Sequence, residues 1–189
     1  MSDRVWWYTA RSSGVVAWWL LAIGVFWGLA LSTRITNGKP TPAWLLDLHR
    51  FLGGLACVFV GIHLFGLAED RFAPFTWVDF AVPFHAQWRP VAVAWGVTAL
   101  YLLLAIEITS FLMRRIPRHW WRRVHSTSFV LFVITCIHVL SAGSDRNNRL
   151  IQWSALAMGT TLVFLTAYRA VARPRRRPAV QLAASREAA

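Results

Sequence analysis

Charge is scarce in this 189-residue chain: 15% of residues are charged, and only 8 are acidic against 20 basic. Soluble domains carry roughly 25% charge. The shortage argues against a soluble core. The 57% hydrophobic content and the positive mean hydropathy point to a single all-α integral membrane domain instead. Cysteine is nearly absent. Cys57 and Cys136 both fall within apolar runs, where packing between helices is the simpler reading and a ligand or disulfide role the lesser one. They fix no redox compartment. Lysine occurs once, at Lys39. A plain secretory signal is also missing: the first apolar run, 15–31, is long and Trp-rich and is expected to be retained, with cleavage near Ala30 as the lesser alternative.

Five apolar runs are present, at about 15–31, 43–68, 91–113, 121–142 and 150–171. Each is long enough to cross a bilayer as a helix, so the expected fold is a bundle of five transmembrane helices. Residues 1–13, with Trp6, Trp7 and Tyr8, form an interfacial head. Residues 14–172 form the membrane domain, and 173–189 a basic disordered tail. Residues 34–42 read as a turn, 69–90 as an interfacial, partly helical connection, and 143–149 as a short polar turn.

The net charge of +12 would suit a nucleic-acid partner. That reading fails because the arginines lie between and after the apolar runs, where positive-inside charges belong. One side collects Arg34, Lys39, Arg114, Arg115, Arg118, Arg122, Arg123, Arg173 and Arg175 to Arg177. The other has Arg4, Arg11, Arg71, Arg89, Arg146 and Arg149, diluted by Asp3, Glu69, Asp70, Asp79 and Asp145. The first side is therefore expected in the cytoplasm and the N-terminus outside a plasma membrane. Lipid, not nucleic acid, is the expected surround.

Four histidines organise these runs. His49 and His63 lie 14 residues apart on the second, and His125 and His138 lie 13 apart on the fourth. Those steps separate each pair by roughly 20 Å along a helix. Two such helices side by side offer paired imidazoles at two depths. Neutral imidazole is a good axial ligand for haem iron, and two facing imidazoles suit electron transfer. The expectation is two b-type haems, the inner on His49 and His125, the outer on His63 and His138. Ordinary interhelical hydrogen bonding and a Zn or Cu path are the alternatives. Helix geometry tests the pairs. Fourteen residues leave His63 about 40° from His49, but thirteen leave His138 about 140° from His125. The second pair needs overwinding, a kink or a strong crossing angle.

The H-x13-H and H-x12-H spacing, with LHRFLGG around His49 and RRVHSTSF around His125, resembles the ferric reductase-like transmembrane domain. That superfamily includes ferric-chelate reductases, NADPH oxidases and the haem subunit of a bacterial periplasmic methionine sulfoxide reductase. The chain resembles a short bacterial member over about residues 14–172. The resemblance supports the second histidine pair and implies transmembrane electron transfer to an outer acceptor: ferric chelate, oxygen or a partner enzyme. Two departures stand out. The family's usual core has six helices with ligands on the third and fifth, against the second and fourth of five here. No Gly-rich dinucleotide fingerprint occurs, and Ala73 to Thr76 (APFT) matches a flavin signature only on the wrong side. The donor is therefore expected to be a separate flavoprotein reductase or a quinol. A haem-binding subunit of a larger complex, without its own substrate, is the alternative.

Several polar residues flank these sites. Arg50, Arg122 and Arg123 are candidates for inner propionates by charge-assisted hydrogen bonds. Arg89, with Arg71, His85 and Gln87, is a candidate for the outer ones or a substrate mouth. Positive-inside anchoring and an exposed loop histidine are the plainer readings. His119 is expected to be a bystander. Glu107 is expected to pair with Arg114 or Arg115, with a proton relay as the alternative. Gly53, Gly54, Gly61 and Gly66 allow close approach of a helix or a flat macrocycle.

Overall fold

The computed structural model describes residues 3–32, 43–71, 75–143 and 148–171, with side chains to residue 168. The turn at 34–42, the tail at 173–189, and Ala73, Asp145 and Arg146 lie outside the described residues. The described residues form helices joined by short turns, with no strand among them: α1 (Asp3–Ser32), α2 (Ala43–Glu69), α3 (Trp77–Ala81), α4 (Pro90–Phe111), α5 (Arg118–Ser126), α6 (Ser128–Ala142) and α7 (Arg149–Val171). With α5 and α6 forming one span, there are five membrane-crossing units among the described residues. The protein is an all-α membrane bundle. α1 starts well before the apolar run, so the aromatic head is helical and continuous with the first span.

α1 and α2 form a tight antiparallel pair. Ala10 of α1 lies against Gly66 of α2, where an added Cβ would sit 2.9 Å from the Ala10 nitrogen. At the other end Trp27 Nε1 donates to the Leu45 carbonyl at 2.9 Å. α4 and α6 form a second antiparallel pair. α2 packs only sparsely on α4, and a slot separates the two pairs. α1 bridges to α6, with Trp18 Nε1 3.4 Å from Cys136 Sγ and Phe26 against Phe132. α7 closes this side through Met158 and Leu162. A second apolar layer fills the middle: Ala99, Leu103, Ile106, Leu131 and Ile134, with Leu21, Cys57 and Val60 packed on it. Both cysteines are free and serve as packing residues.

The fourth span is broken at Thr127. Its N–H bonds to the Val124 carbonyl at 3.0 Å, a step of three residues. A turn of three residues advances about 120° per residue instead of 100°. Three such residues reduce the His125–His138 offset from about 140° to about 80°. This local overwinding removes part of the angular offset that the 13-residue spacing leaves.

The α1–α2 contact gives a test. Gly66→Val should force the helices apart at Ala10 and cost about 1–3 kcal/mol, the usual range for overpacking. Gly54→Val, where an added Cβ meets nothing within 4 Å, should stay near wild type. Thermal midpoints in detergent would compare them.

Candidate functional site

The slot between the helix pairs is spanned by the four histidines, in the pairing their depths imply. His63 on α2 faces His138 on α6 with ring centroids 6.5 Å apart and planes at 82°. His49 on α2 faces His125 on α5 at 5.9 Å and 71°.

The first pair is oriented by backbone. His63 Nδ1–H donates to the Ala10 carbonyl at 2.7 Å. His138 Nδ1–H donates to the Ala92 carbonyl at 2.8 Å. A carbonyl can only accept, so Nδ1 carries the proton in both rings, and a neutral ring keeps its lone pair on Nε2. Four residues beyond each carbonyl stands a glycine. A Cβ on Gly14 would lie 2.8 Å from His63 Nδ1, and one on Gly96 would lie 2.6 Å from His138 Cε1. Each imidazole thus lies over a glycine and bonds to the carbonyl one turn back.

The second pair repeats the scheme less completely. Gly28 lies under His49, 3.1 Å from Cε1 by the same measure. The Gly24 backbone, one turn back, interacts with that ring, but falls short of a full hydrogen bond and leaves Nδ1 buried without a partner. His125 Nδ1 lies 3.3 Å from Ser110 Oγ. Trp121 stacks on His125 with centroids 5.1 Å apart and donates weakly to Ser110 Oγ at 3.4 Å.

A cavity of about 260 Å³ surrounds His63 and His138. Trp18, Val60, Leu64, Leu100, Leu103 and Leu131 line it, with Trp7, Arg11, Phe75, Phe80 and Trp88 toward α3. Arg11 lies over the Trp7 ring at 4.9 Å.

The flanking residues fare differently. Arg50 is well exposed and pairs with Asp47 at 3.3 Å. Arg89 donates to the Ser141 carbonyl at 2.8 Å and lies over Trp88. It does not line the cavity, whereas Arg11 does. Arg123 lies over Trp120, and His119 rests beside the same ring. Arg71 and Gln87 are exposed. Glu107 corrects an expectation: it pairs with neither Arg114 nor Arg115, because its carboxyl turns across to α2 over Gly53. Sequence reasoning passed over Gly14, Gly28, Gly96, Ser110 and Arg11. The signal was there: Gly14 to Gly28 and Gly96 to Ser110 each span 14 residues, the step from His49 to His63.

Among the described residues no three His, Cys, Asp or Glu side chains gather as a metal cage. The site consists of imidazole pairs only, so the fold defines a polytopic membrane protein with two stacked layers of facing histidines. The chain belongs to the family of the ferric reductase like transmembrane component, whose model matches residues 13–136. His49, His63 and His125 fall within the match; His138 lies two residues beyond it. Neither a curated protein nor a solved structure matches the chain significantly. Members of the family commonly bind haem, and the membership makes this chain a membrane electron-transfer component.

Beside the cavity, α3 is pinned by a carboxylate. Asp79 Oδ1 accepts from His85 Nδ1 at 2.7 Å, and its Oδ2 from the Thr76 N–H and hydroxyl at 2.6 and 2.8 Å. The His85 bond first, then those from Thr76, hold the Asp79 carboxyl below its ordinary range. A lowered folded value means stability that is complete above the unfolded pKa of about 3.9 and lost as pH falls through the folded one. Asp79→Asn should therefore lower the thermal midpoint at neutral pH. Its deficit against wild type should shrink as pH falls below about 4.

Proposed function

We propose that the chain is a transmembrane di-haem b protein that passes electrons from a cytoplasmic flavoprotein or quinol to an acceptor outside. The observation that carries this reading is the spacing and orientation of the imidazole pairs. A metal–imidazole bond is about 2.0–2.1 Å, and a ring nitrogen lies roughly 1.1 Å from its centroid. Two imidazoles sharing one axial metal therefore have centroids about 6.3 Å apart. The observed 5.9 and 6.5 Å bracket that value. Two histidines with no third protein ligand among the described residues are too few for a tetrahedral zinc site but suffice for axial ligation. The slot between the helix pairs and the cavity at His63 and His138 are consistent with a flat macrocycle.

Bound haem would supply reversible one-electron chemistry. The protein's own parts follow. His49 and His125 would hold the inner group, and His63 and His138 the outer. The Ala10 and Ala92 carbonyls fix the tautomer that leaves Nε2 free. Gly14, Gly28 and Gly96 supply room. Leu103, Ile106, Leu131 and Ile134 separate the layers and keep water out. Arg11 joins Arg89 as a candidate for outer propionates, and Arg50 remains the candidate inside. The cluster of Arg114, Arg115, Arg118, Arg122 and Arg123 beside the His49–His125 layer supports a cytoplasmic placement of that end in the plasma membrane.

The test is a reduced-minus-oxidised visible spectrum of detergent-purified protein with haem counted per chain. Sharp low-spin b-type bands with about two haems are expected. A colourless protein, expressed with ample haem, would overturn the reading. His63→Ala should remove one haem and spare the other. Gly96→Leu should do the same by crowding His138, while Gly54→Leu keeps both. Reoxidation by ferric chelate or oxygen would mark the chain as the terminal reductase. Reduction without reoxidation by any small acceptor would mark it as a haem-binding subunit of a larger complex.

A further inference from the structure

Glu107 is an ionisable group in a membrane span with no role in the arrangement above. It lies on α4, four residues before that helix ends at Phe111. Its carboxyl reaches over α2, where a Cβ added to Gly53 would meet Oε1 at 2.6 Å. No hydrogen bond or ion pair engages it among the described residues. Ionisable side chains in such positions are rare and mark proton or ion paths.

Its place in the fold is specific. Gly53 is one turn beyond His49 on α2. Ser110, one turn beyond Glu107 on α4, contacts His125 Nδ1 at 3.3 Å. The carboxyl thus lies over a position one turn from His49, and Glu107 itself is one turn from Ser110, the neighbour of His125. From α2 the titratable or charged groups nearest this level in sequence are His49, Arg50 and Cys57, with Arg50 turned to Asp47. From α5 it is His125, and from α4 itself none. The nearest cations in sequence, Arg114 and Arg115, leave it unpaired.

We infer that Glu107 is a redox-linked proton site: an electron reaching the His49–His125 layer draws one proton from the adjacent aqueous side onto the Glu107 carboxylate, and the proton leaves when the electron moves on. The proton taken up offsets part of the negative charge that arrives. The electron comes from the flavoprotein or quinol donor and the proton from water. At a separation on the order of 10 Å and an effective dielectric near 20, one added electron raises the carboxylate's proton affinity by roughly tenfold. The inference rests on the di-haem reading.

The experiment is a redox titration of purified protein over a range of pH, with haem counted on the same samples. The potential of one haem should fall as pH rises in wild type. Glu107→Gln should flatten that dependence, and Glu107→Asp should retain it. Slopes common to all three proteins belong to other groups, so the wild-type difference from Glu107→Gln is the quantity read. Proton uptake on reduction, followed with an indicator dye, should fall in Glu107→Gln and gives a second readout on the same protein. Two bound haems with equal slopes and equal proton uptake in wild type and Glu107→Gln would overturn this inference and leave the di-haem reading standing. Absence of haem would overturn both.

Discussion

A ring N–H donated to a helix carbonyl is the interaction on which the rest of this structure depends. Helix carbonyls are normally engaged within their own helix, and a side chain can share one only if it comes very close. A glycine one turn ahead makes that approach possible, because a Cβ there would strike the ring. Close approach, hydrogen bond and tautomer are therefore a single condition. The bond at Ala10 sets the register of α1 against α2, and the bond at Ala92 sets that of α4 against α6.

The two layers meet this condition unequally. The His63–His138 layer has two short carbonyl bonds, whereas the His49–His125 layer has an unpartnered nitrogen and a long contact to a hydroxyl. Orientation in the second layer comes instead from stacking of Trp121 on His125. Hydrogen bonds to the outer nitrogen of a ligating imidazole raise its basicity. On the di-haem reading, the two sites would therefore differ electronically although their protein ligands are the same.

Much of the fold was legible because a bilayer restricts the choices: long apolar runs must be helices, and five of them make a bundle. The pairing of histidines by depth was legible from their spacing. The angular defect of the second pair was legible too, as a demand for a kink, but its place at Thr127 was not. That depends on one three-residue hydrogen bond, which no residue type announces. The glycine partners on α1 and α4 were missed because a glycine's function here is the absence of an atom, visible only once the ring above it is placed. The direction of Glu107 was misjudged for a related reason. Charge pairing along the helix pointed toward Arg114, while the empty space over Gly53 lies on another helix.

The interruption at Thr127 has a meaning beyond angle. The imidazoles of the fourth span stand on either side of it: His125 on the basic, aromatic segment α5, and His138 on the apolar segment α6. The two sites therefore have surroundings of different polarity, although both are built on the same transmembrane crossing.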